Sequence, residues 1–299
     1  MDVGELLSPE LTQLLALLRA DANPMPHNQL VKVLKSEWGE DWLNRFSHIE
    51  LRPFAAASIG QVHLAYQENG EKLAVKIQYP GIAQSVHSDV DNVIALLNIA
   101  RLIPKELDIQ PLINEAKAQL LAEADYEREA HYLKRYGELL SQHVNFKVPK
   151  VYGVHNTKRI LAMEYVQATP IEALSNLPQG EQNNIAARLI DLFFKEMFVF
   201  NLIQTDPNFA NFHYQPESQK IVLFDFGATR EITPALSNAY LALFKAGSNN
   251  DREGVLNAAT DIGYFKDSLK DNYKEKVIDL FLMACEPLRY HGEFDFKNS

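Results

Sequence analysis

Two carboxylates and an asparagine in the second half of the chain have the types and spacing of a metal–phosphate site. Asp206 and Asn211 are separated by four residues, and Asp225, which opens an Asp-Phe-Gly sequence, follows Asn211 by fourteen. Asp206 could orient a hydroxyl or water, while Asn211 and Asp225 could reach a Mg²⁺ ion that bridges nucleotide phosphates. Asp-Pro and Asn are also common turn residues, so neither the Asp206–Asn211 spacing nor the Asp-Phe-Gly sequence is informative alone. The two motifs in this order, with an apolar run at residues 221–224 leading to Asp225, predict phosphoryl-transfer chemistry.

A lysine that could hold nucleotide phosphates lies much earlier in the chain. Lys76 follows Leu-Ala-Val on a predicted strand, close to the Val-Ala-Ile-Lys pattern in which the lysine holds the α- and β-phosphates. Before it, residues 55–62 read Ala-Ala-Ala-Ser-Ile-Gly-Gln-Val, where many phosphate-covering loops carry three glycines. Alanine disfavours positive φ and keeps the backbone farther from a phosphate, so we expect a stiffer loop. The candidate loop residues are Ala55, Ala56, Ala57 and Ser58.

Hydrophobic periodicity predicts the elements that position these residues, and their order favours an α+β fold over a doubly wound α/β sheet. A helical N-terminal segment precedes a sheet-rich region with inserted helices, and a mainly helical region follows. The predicted helices cover residues 8–47, with a break at 23–26, then 82–101 and 109–140. The predicted strands cover 59–66, 73–77, 148–154, 160–166, 212–214 and 221–224.

The composition excludes several classes of protein. With 46% hydrophobic and 23% charged residues, the 299-residue chain has the composition of a globular protein of about two domains. A net charge of −10 argues against nucleic acid as a partner. The single cysteine, Cys285, allows no intrachain disulfide, and no zinc-ligand spacing occurs. No secretory signal or membrane-spanning run is present, so we expect a cytoplasmic or organelle-matrix location, with peripheral membrane association left open.

Together these segments resemble the UbiB/AarF family of atypical protein-kinase-like proteins, which are tied to ubiquinone (coenzyme Q) biosynthesis. The resemblance is closest to the mitochondrial-type branch of that family and extends over most of the chain. The segments that carry it are residues 53–63, 75–81, 123–130, 204–208 and 225–230.

The resemblance implies a kinase-like fold of two lobes, with ATP or ADP and Mg²⁺ as cofactors. It implies that Lys76 contacts the nucleotide, Asp206 occupies the catalytic-base position, and Asn211 and Asp225 hold the metal. Glu123 and Glu129 are six residues apart and cannot share one helix face, so only one of them pairs with the lysine. We favour Glu129, and Glu123 then belongs to the Glu-x-Asp element. The implied hinge beside the adenine is Met163, Glu164, Tyr165 and Val166.

Three regions are predicted: a helical N-terminal extension (1–50), a kinase-like N-lobe with the hinge (51–166) and a C-lobe (167–299). Family members carry Lys-x-Gly-Gln in the extension, and this sequence has none. Its expected place is just before Met1, and we expect the C-lobe to stop short of the family's final helices. Protein-kinase behaviour of full-length members therefore does not carry over directly. Gln204-Thr205-Asp206 replaces the usual His-Arg-Asp, so we expect no activation-loop phosphate switch.

Three hypotheses about function follow. The first is an Mg²⁺-dependent ATPase or phosphotransferase that supports ubiquinone biosynthesis. The second is a nucleotide-gated scaffold or chaperone whose partners are prenylated quinone intermediates, coenzyme Q biosynthesis proteins or a membrane surface. The third is a small-molecule kinase of the aminoglycoside or choline type, which the alanine-rich loop does not fit.

Overall fold

The computed structural model describes residues 24–99, 110–206, 208–265, 271–292 and 294–295. The predicted helix before residue 24 lies outside the described residues. The chain forms two compact units. The first contains the described residues up to Pro178 together with Asp206–Thr229. The second contains Gln179–Thr205 and the described residues from Arg230 onward.

An antiparallel five-stranded sheet forms the centre of the first unit. Its order is β1-β3-β4-β6, and β2 pairs with the same edge of β3 as β1 does, at the opposite end of the strand. A polar turn joins β3 to β4, with Gly70 at φ 83°, which is a backbone conformation that glycine adopts without strain. The strands are β1 (His48–Ile49), β2 (Ala55–Ala57), β3 (Gly60–Tyr66), β4 (Lys72–Gln78) and β6 (Ile160–Glu164).

The predicted strands at 59–66, 73–77 and 160–166 are confirmed, whereas the one at 148–154 is wrong. This stretch holds an isolated bridge at Val151 and a 3₁₀ turn at Gly153–His155. Pro149 has no N–H to donate to a strand partner. The ladder therefore does not continue beyond the short strand β5 (Phe146–Lys147) that precedes it.

One face of the sheet is covered by the helix α1 (His27–Trp38). Leu30, Leu34 and Trp38 of the helix belong to one core cluster with Val75 and Ile77 of β4. The helix ends at Trp38 because Gly39 has φ 87°, so the predicted continuation through Trp42 is a separate 3₁₀ turn. This packing leaves the other face of β4 for the helices that follow.

Those helices are α2 (Ile82–Ile99), α3 (Gln110–Glu123) and α4 (Tyr126–Leu139). The single helix predicted over 109–140 is therefore wrong, since it breaks at Ala124 and Asp125. The Asp125 side chain accepts a hydrogen bond from the Arg128 N–H at 3.0 Å and caps α4. The break places Glu123 and Glu129 on different helices.

A second sheet of the first unit has the order β5-β10-β9-β7. The central pair, β9 (Phe212–Gln215) and β10 (Lys220–Leu223), is the hairpin predicted from the sequence. Phe212 pairs with Leu223, so Asn211 and Asp225 flank the same end of the hairpin. The outer strand β7 covers Thr169–Pro170.

The second unit is mainly helical. The core of this unit includes Leu243, Val255 and Ile278. The helices and separate sheets of the two units together confirm the predicted α+β class. None of the described helices is long and apolar enough to cross a bilayer. The elements are α5 (Gln179–Lys195) with a π-helical turn (Glu196–Phe200), β8 (Leu202–Gln204) paired with β11 (Thr229–Glu231), α6 (Pro234–Ser248), α7 (Arg252–Ile262), α8 (Asp271–Ala284) and α9 (Glu286–Arg289).

Candidate active site

Lys76 lies in the middle of β4, on the face that α1 does not cover. Its strand neighbours Val75 and Ile77 point into the α1 core, and side chains alternate between the faces of a strand. Lys76 is opposite Val62 of β3, and Val62 is opposite Ala55 of β2. The strand register therefore places the lysine and the alanine-rich segment in one row across the sheet.

The lysine is buried and held between two carboxylates. Its Nζ lies 2.6 Å from Oε1 of Glu129 and 3.5 Å from Oδ2 of Asp225. Burial alone would lower the pKa of Lys76, but Asp225 and Glu129 outweigh it and raise that pKa. Burial raises the pKa of Glu129, while Lys76 opposes this shift. Of the two glutamates considered from the sequence, the structure places Glu129 on the lysine.

Asp225 follows β10 directly, and a local turn fixes its carboxylate. Its Oδ1 accepts a hydrogen bond from the Gly227 N–H at 2.9 Å, which leaves Oδ2 for Lys76. Burial alone would raise the pKa of Asp225, but the Lys76 charge and the Gly227 N–H outweigh it and lower that pKa. The Asp225 carboxylate is therefore ionised at neutral pH and could bind a cation.

Asp206 and Asn211 lie on the loop that leads into the same hairpin. The Asn211 amide donates to Oδ2 of Asp206 at 2.7 Å. The Phe224 N–H donates to the Asn211 carbonyl at 3.5 Å, which joins the loop to the residue before Asp225. The spacing read from the sequence thus brings Asp206, Asn211 and Asp225 to one end of β9 and β10.

Glu123 adds a fourth carboxylate to this region, after Glu129, Asp225 and Asp206, without pairing with the lysine. Burial raises the pKa of Glu123, and the charges of Asp225 and Asp206 raise it further. Together with Glu129, these carboxylates carry more negative charge than Lys76 neutralises. A bound cation would reduce their repulsion.

The donor set fits Mg²⁺ held partly by phosphate oxygens. Mg²⁺ prefers oxygen ligands and is usually bound by one or two carboxylates plus the substrate's phosphates. Asn211 and Asp225 supply one amide and one carboxylate oxygen at the hairpin end. Within the described ranges, no group of three or more His, Cys, Asp or Glu side chains could hold a metal ion without such help.

The alanine-rich segment forms a tight hairpin. Ala57 pairs with Gly60 and Ala55 with Val62, so Ser58 and Ile59 make a two-residue turn. None of residues 55–60 has positive φ. Alanine therefore fits this backbone without strain.

Sequence reasoning missed Tyr126, at the start of α4. Its ring lies 5.4 Å from the Lys76 Nζ, in the range of a cation–π contact. Its hydroxyl is fully buried without a hydrogen-bond partner among the described residues. A buried phenol normally has a partner, and a phosphate oxygen would provide one. The sequence signal was its place beside Asp125 in the Glu-x-Asp element.

The four predicted hinge residues differ in what they can offer a ligand. Met163 pairs with Ala74 of β4, the Glu164 N–H donates to Lys150, and the Tyr165 N–H donates to Lys72. The Glu164 carboxylate is also occupied, since Lys147 donates to it at 2.7 and 2.8 Å. Val166 follows, and its N–H donates to no acceptor in the part of the chain that the structure describes.

Known proteins are similar to this chain in sequence. "Atypical kinase COQ8B, mitochondrial" of Rattus norvegicus is 36% identical over 98% of this chain and 56% of its own length. "Atypical kinase COQ8, mitochondrial" of Saccharomyces cerevisiae is 36% identical over 100% of this chain and 62% of its own length. The chain spans about half the length of the curated relatives it matches.

A solved structure supports the fold independently. The complex of Rv3197 with erythromycin from Mycobacterium tuberculosis superposes with a TM-score of 0.65 at 21% identity, over 94% of this chain and 72% of that one.

The family model of the ABC1 atypical kinase-like domain matches residues 17–259. The match covers most of the chain and includes all the site residues described above. The chain therefore belongs to the ABC1 atypical kinase-like proteins, the UbiB/AarF family.

Proposed function

We propose that this chain binds ATP or ADP with Mg²⁺ and catalyses ATP hydrolysis or phosphoryl transfer. The observation that carries this proposal is Lys76, buried in β4 and held between Glu129 at 2.6 Å and Asp225 at 3.5 Å. A buried lysine between two carboxylates is poised to exchange one of these contacts for phosphate oxygens. The kinase names of the COQ8 relatives support the same assignment.

Each polar group of the site has a role in this chemistry. Lys76 holds the α- and β-phosphates, and Glu129 fixes the direction of its ammonium group. Asn211 and Asp225 hold the metal, which when bound neutralises phosphate charge. Asp206 accepts a hydrogen bond from the attacking hydroxyl or water and orients it. The hydrogen bond that the Asn211 side chain donates to Asp206 keeps that carboxylate beside the metal ligands.

The adenine is proposed to lie against Val166. The backbone N–H groups of Glu164 and Tyr165 are used within the protein, so neither can meet a base. Val166 comes next and has a free N–H donor in the described structure. Lys76 and the alanine-rich hairpin would then hold the phosphates.

We further propose that this activity serves coenzyme Q biosynthesis in an organelle matrix. The support is the names of the relatives, which are COQ8-type kinases described as mitochondrial. Prenylated quinone intermediates, other biosynthesis proteins and a membrane surface are the partners consistent with that process. The residues of the site support binding of nucleotide and metal, with water or a hydroxyl as the acceptor of the phosphoryl group.

The test is Mg²⁺-dependent nucleotide turnover by the parent protein and by Asp206→Asn, with nucleotide binding measured in both. An asparagine at position 206 can still accept the hydrogen bond from Asn211, while the longer, exposed bond from the Asn208 N–H, at 3.3 Å, passes to water. We expect Asp206→Asn to bind nucleotide like the parent and to lose at least about 100-fold in turnover, as expected for loss of a group that orients the nucleophile.

The matched control is Asp251→Asn, at the N-cap of α7, where asparagine also caps a helix well. It should leave both binding and turnover unchanged. Equal turnover by the parent and Asp206→Asn would contradict the enzymatic role and leave a nucleotide-binding scaffold as the function. Absence of nucleotide binding by the parent would contradict the proposal as a whole.

A further inference from the structure

Arg128 connects helix α4 to the backbone that follows Asp225. Its guanidinium donates to two carbonyl oxygens, those of Gly227 and Thr229. The next residue of α4, Glu129, holds Lys76. Two consecutive residues of one helix therefore contact both sides of the candidate metal and phosphate site.

The guanidinium is itself held in place. Its centre lies 4.8 Å from the ring of Tyr132, one turn further along α4, so the aromatic face supports its plane. Its backbone N–H is bound by the Asp125 cap at 3.0 Å. A planar fork with several fixed donors can bind two carbonyls at once, whereas a lysine ammonium cannot reproduce that geometry.

The segment that Arg128 binds, Gly227 to Thr229, also orients Asp225, the proposed metal ligand. Gly227 donates its N–H to Asp225 Oδ1 at 2.9 Å and accepts from Arg128 at its carbonyl. Phe226 lies between Asp225 and Gly227 in the chain, and its ring packs against Tyr136 of α4, with ring centroids 4.6 Å apart. Helix α4 thus contacts the Asp-Phe-Gly turn in two ways, through the main-chain carbonyl of Gly227 and through the side chain of Phe226.

We propose that Arg128 is a positioning residue that keeps Asp225 directed at the metal through the Gly227 and Thr229 carbonyls. The inference rests on the proposed nucleotide and Mg²⁺ function. In kinases with the His-Arg-Asp sequence, a phosphorylated loop can order this region by docking on the arginine. Thr205 stands in that arginine's place. Arg128 supplies an ordering contact from α4 instead, so the segment needs no phosphate.

The test variant is Arg128→Lys, which keeps the charge and the helix propensity but loses the two-carbonyl contact. Lys134→Arg, the reverse exchange on the exposed side of the same helix, is the matched control. The first measurement is the dissociation constant of a fluorescent ADP analogue, with Mg²⁺ and with EDTA. The second is hydrogen exchange of peptides covering residues 224–231 without nucleotide.

In the parent and in Lys134→Arg, Mg²⁺ should tighten ADP binding. In Arg128→Lys, the gain from Mg²⁺ should fall by about tenfold, the equivalent of one lost hydrogen bond of ordinary strength. Binding in EDTA should stay near the parent value, because Lys76 and Glu129 are unchanged. Exchange in residues 224–231 should become faster. A purely structural defect would instead lower binding with and without Mg²⁺ alike.

Parent-like Mg²⁺ dependence or parent-like exchange in Arg128→Lys would overturn the proposal for Arg128. Failure of the parent to bind ADP with Mg²⁺ would instead contradict the proposed function. If Arg128→Lys does not fold, Tyr132→Leu gives the same test, since it removes the supporting ring and leaves the hydrogen-bonding groups intact. A smaller loss in the same direction is expected for Tyr132→Leu, and no change would count against the proposal.

Discussion

Gly60, the one glycine kept in the alanine-rich segment, is required for space. Its φ is not positive, so backbone freedom does not explain it. A Cβ at this position would lie 2.4 Å from the Ile77 carbonyl oxygen and 3.0 Å from the Tyr126 hydroxyl. Side chains fit at Ala55 to Ala57, whereas the backbone at Gly60 must pass close to β4 and α4.

We predict that Gly60→Ala lowers the free energy of unfolding by about 1–3 kcal/mol, the usual cost of inserting an atom into a packed region. Urea unfolding at equilibrium measures the change. Gly153→Ala in the same unit is the control, because its Cβ would meet no heavy atom within 4 Å and its φ is not positive. Equal stability of the two variants would show that β3 and β4 can separate at Gly60 without cost.

His63 is a second residue whose role follows from its partners. Gln61 accepts from the Met25 N–H through Oε1 at 2.8 Å, so its amide nitrogen faces His63 Nε2 at 2.7 Å and donates to it. His63 Nδ1–H therefore donates to the Glu50 carbonyl at 2.8 Å. This network needs the neutral imidazole, because a second N–H would face the Gln61 amide.

We predict that His63 makes the fold less stable in acid. Burial lowers the pKa of His63 below that of an unfolded histidine, although the Glu50 hydrogen bond opposes the shift. The unfolded chain therefore binds the proton first, and stability falls as the pH drops below about 6.5. His63→Asn keeps a donor for Glu50 and cannot titrate. Its urea midpoint should fall less than the parent's between about pH 8 and about pH 5.5.

The matched control is the same substitution at exposed His27, at the start of α1. His155 and His213 are also partly or fully buried with lowered pKa values. Some loss of stability in acid will therefore persist in His63→Asn. A decline as steep as the parent's would contradict the role given to His63.

Helix α4 is the element on which the site depends most, and its start is set by Asp125. The cap at Asp125 has a close counterpart in Asp251, which accepts from the Gly254 N–H at 3.0 Å and caps α7 in the second unit. Removing either cap should destabilise the protein by about 1 kcal/mol. The two caps differ in that only α4 carries Glu129, the partner of Lys76.

We therefore predict that Asp125→Ala and Asp251→Ala lose similar stability, but that only Asp125→Ala weakens nucleotide binding. Fraying of the first turn of α4 would loosen Arg128 and Glu129 together, whereas α7 contributes no residue to the site. Thermal unfolding and nucleotide titration of both variants measure the two effects. Unchanged nucleotide affinity in Asp125→Ala would show that the cap does not control the position of Glu129.

Helix α4 also shows where sequence reasoning stops. The spacing of Asp206, Asn211 and Asp225 was readable because a hairpin formed by neighbouring residues brings them together. The contact of Lys76 with Glu129 spans 53 residues, and periodicity over 109–140 gave no reason to break the helix at Asp125. Arg128 stands between two glutamates, so its sequence resembled a solvated surface with ion pairs. Only the fold shows the carbonyls that it binds.

At the scale of the whole molecule, the chain is not divided at a single position. The compact first unit takes in Asp206–Thr229 from the second half of the sequence. That segment supplies β9 and β10, the two central strands of the order β5-β10-β9-β7. Sequence order predicted regions at 1–50, 51–166 and 167–299, and these limits stay a prediction. Periodicity follows elements along the chain and cannot tell which distant strand joins which unit.

We predict that a fragment ending at Pro178 keeps the core beneath α1 but does not bind nucleotide. The fragment retains β1 to β4 and β6, with Trp38 and Trp42 in their core. Because these are the two tryptophans of the chain, their fluorescence reports whether that core forms. The fragment lacks Asp206, Asn211 and Asp225, and it leaves β5 and β7 without the strands between them.

The measurement is the midpoint of tryptophan-detected thermal unfolding, with and without Mg²⁺ and ADP. Ligand at 100 times its dissociation constant stabilises a protein by about 2.7 kcal/mol. The full chain should therefore unfold at a higher temperature with ligand, and the fragment should show no shift. A matching shift in the fragment would place the nucleotide site entirely within the first 178 residues. Loss of the tryptophan core in the fragment would show instead that the sheet β1-β3-β4-β6 does not form without Asp206–Thr229. The two segments of the first unit would then fold only together.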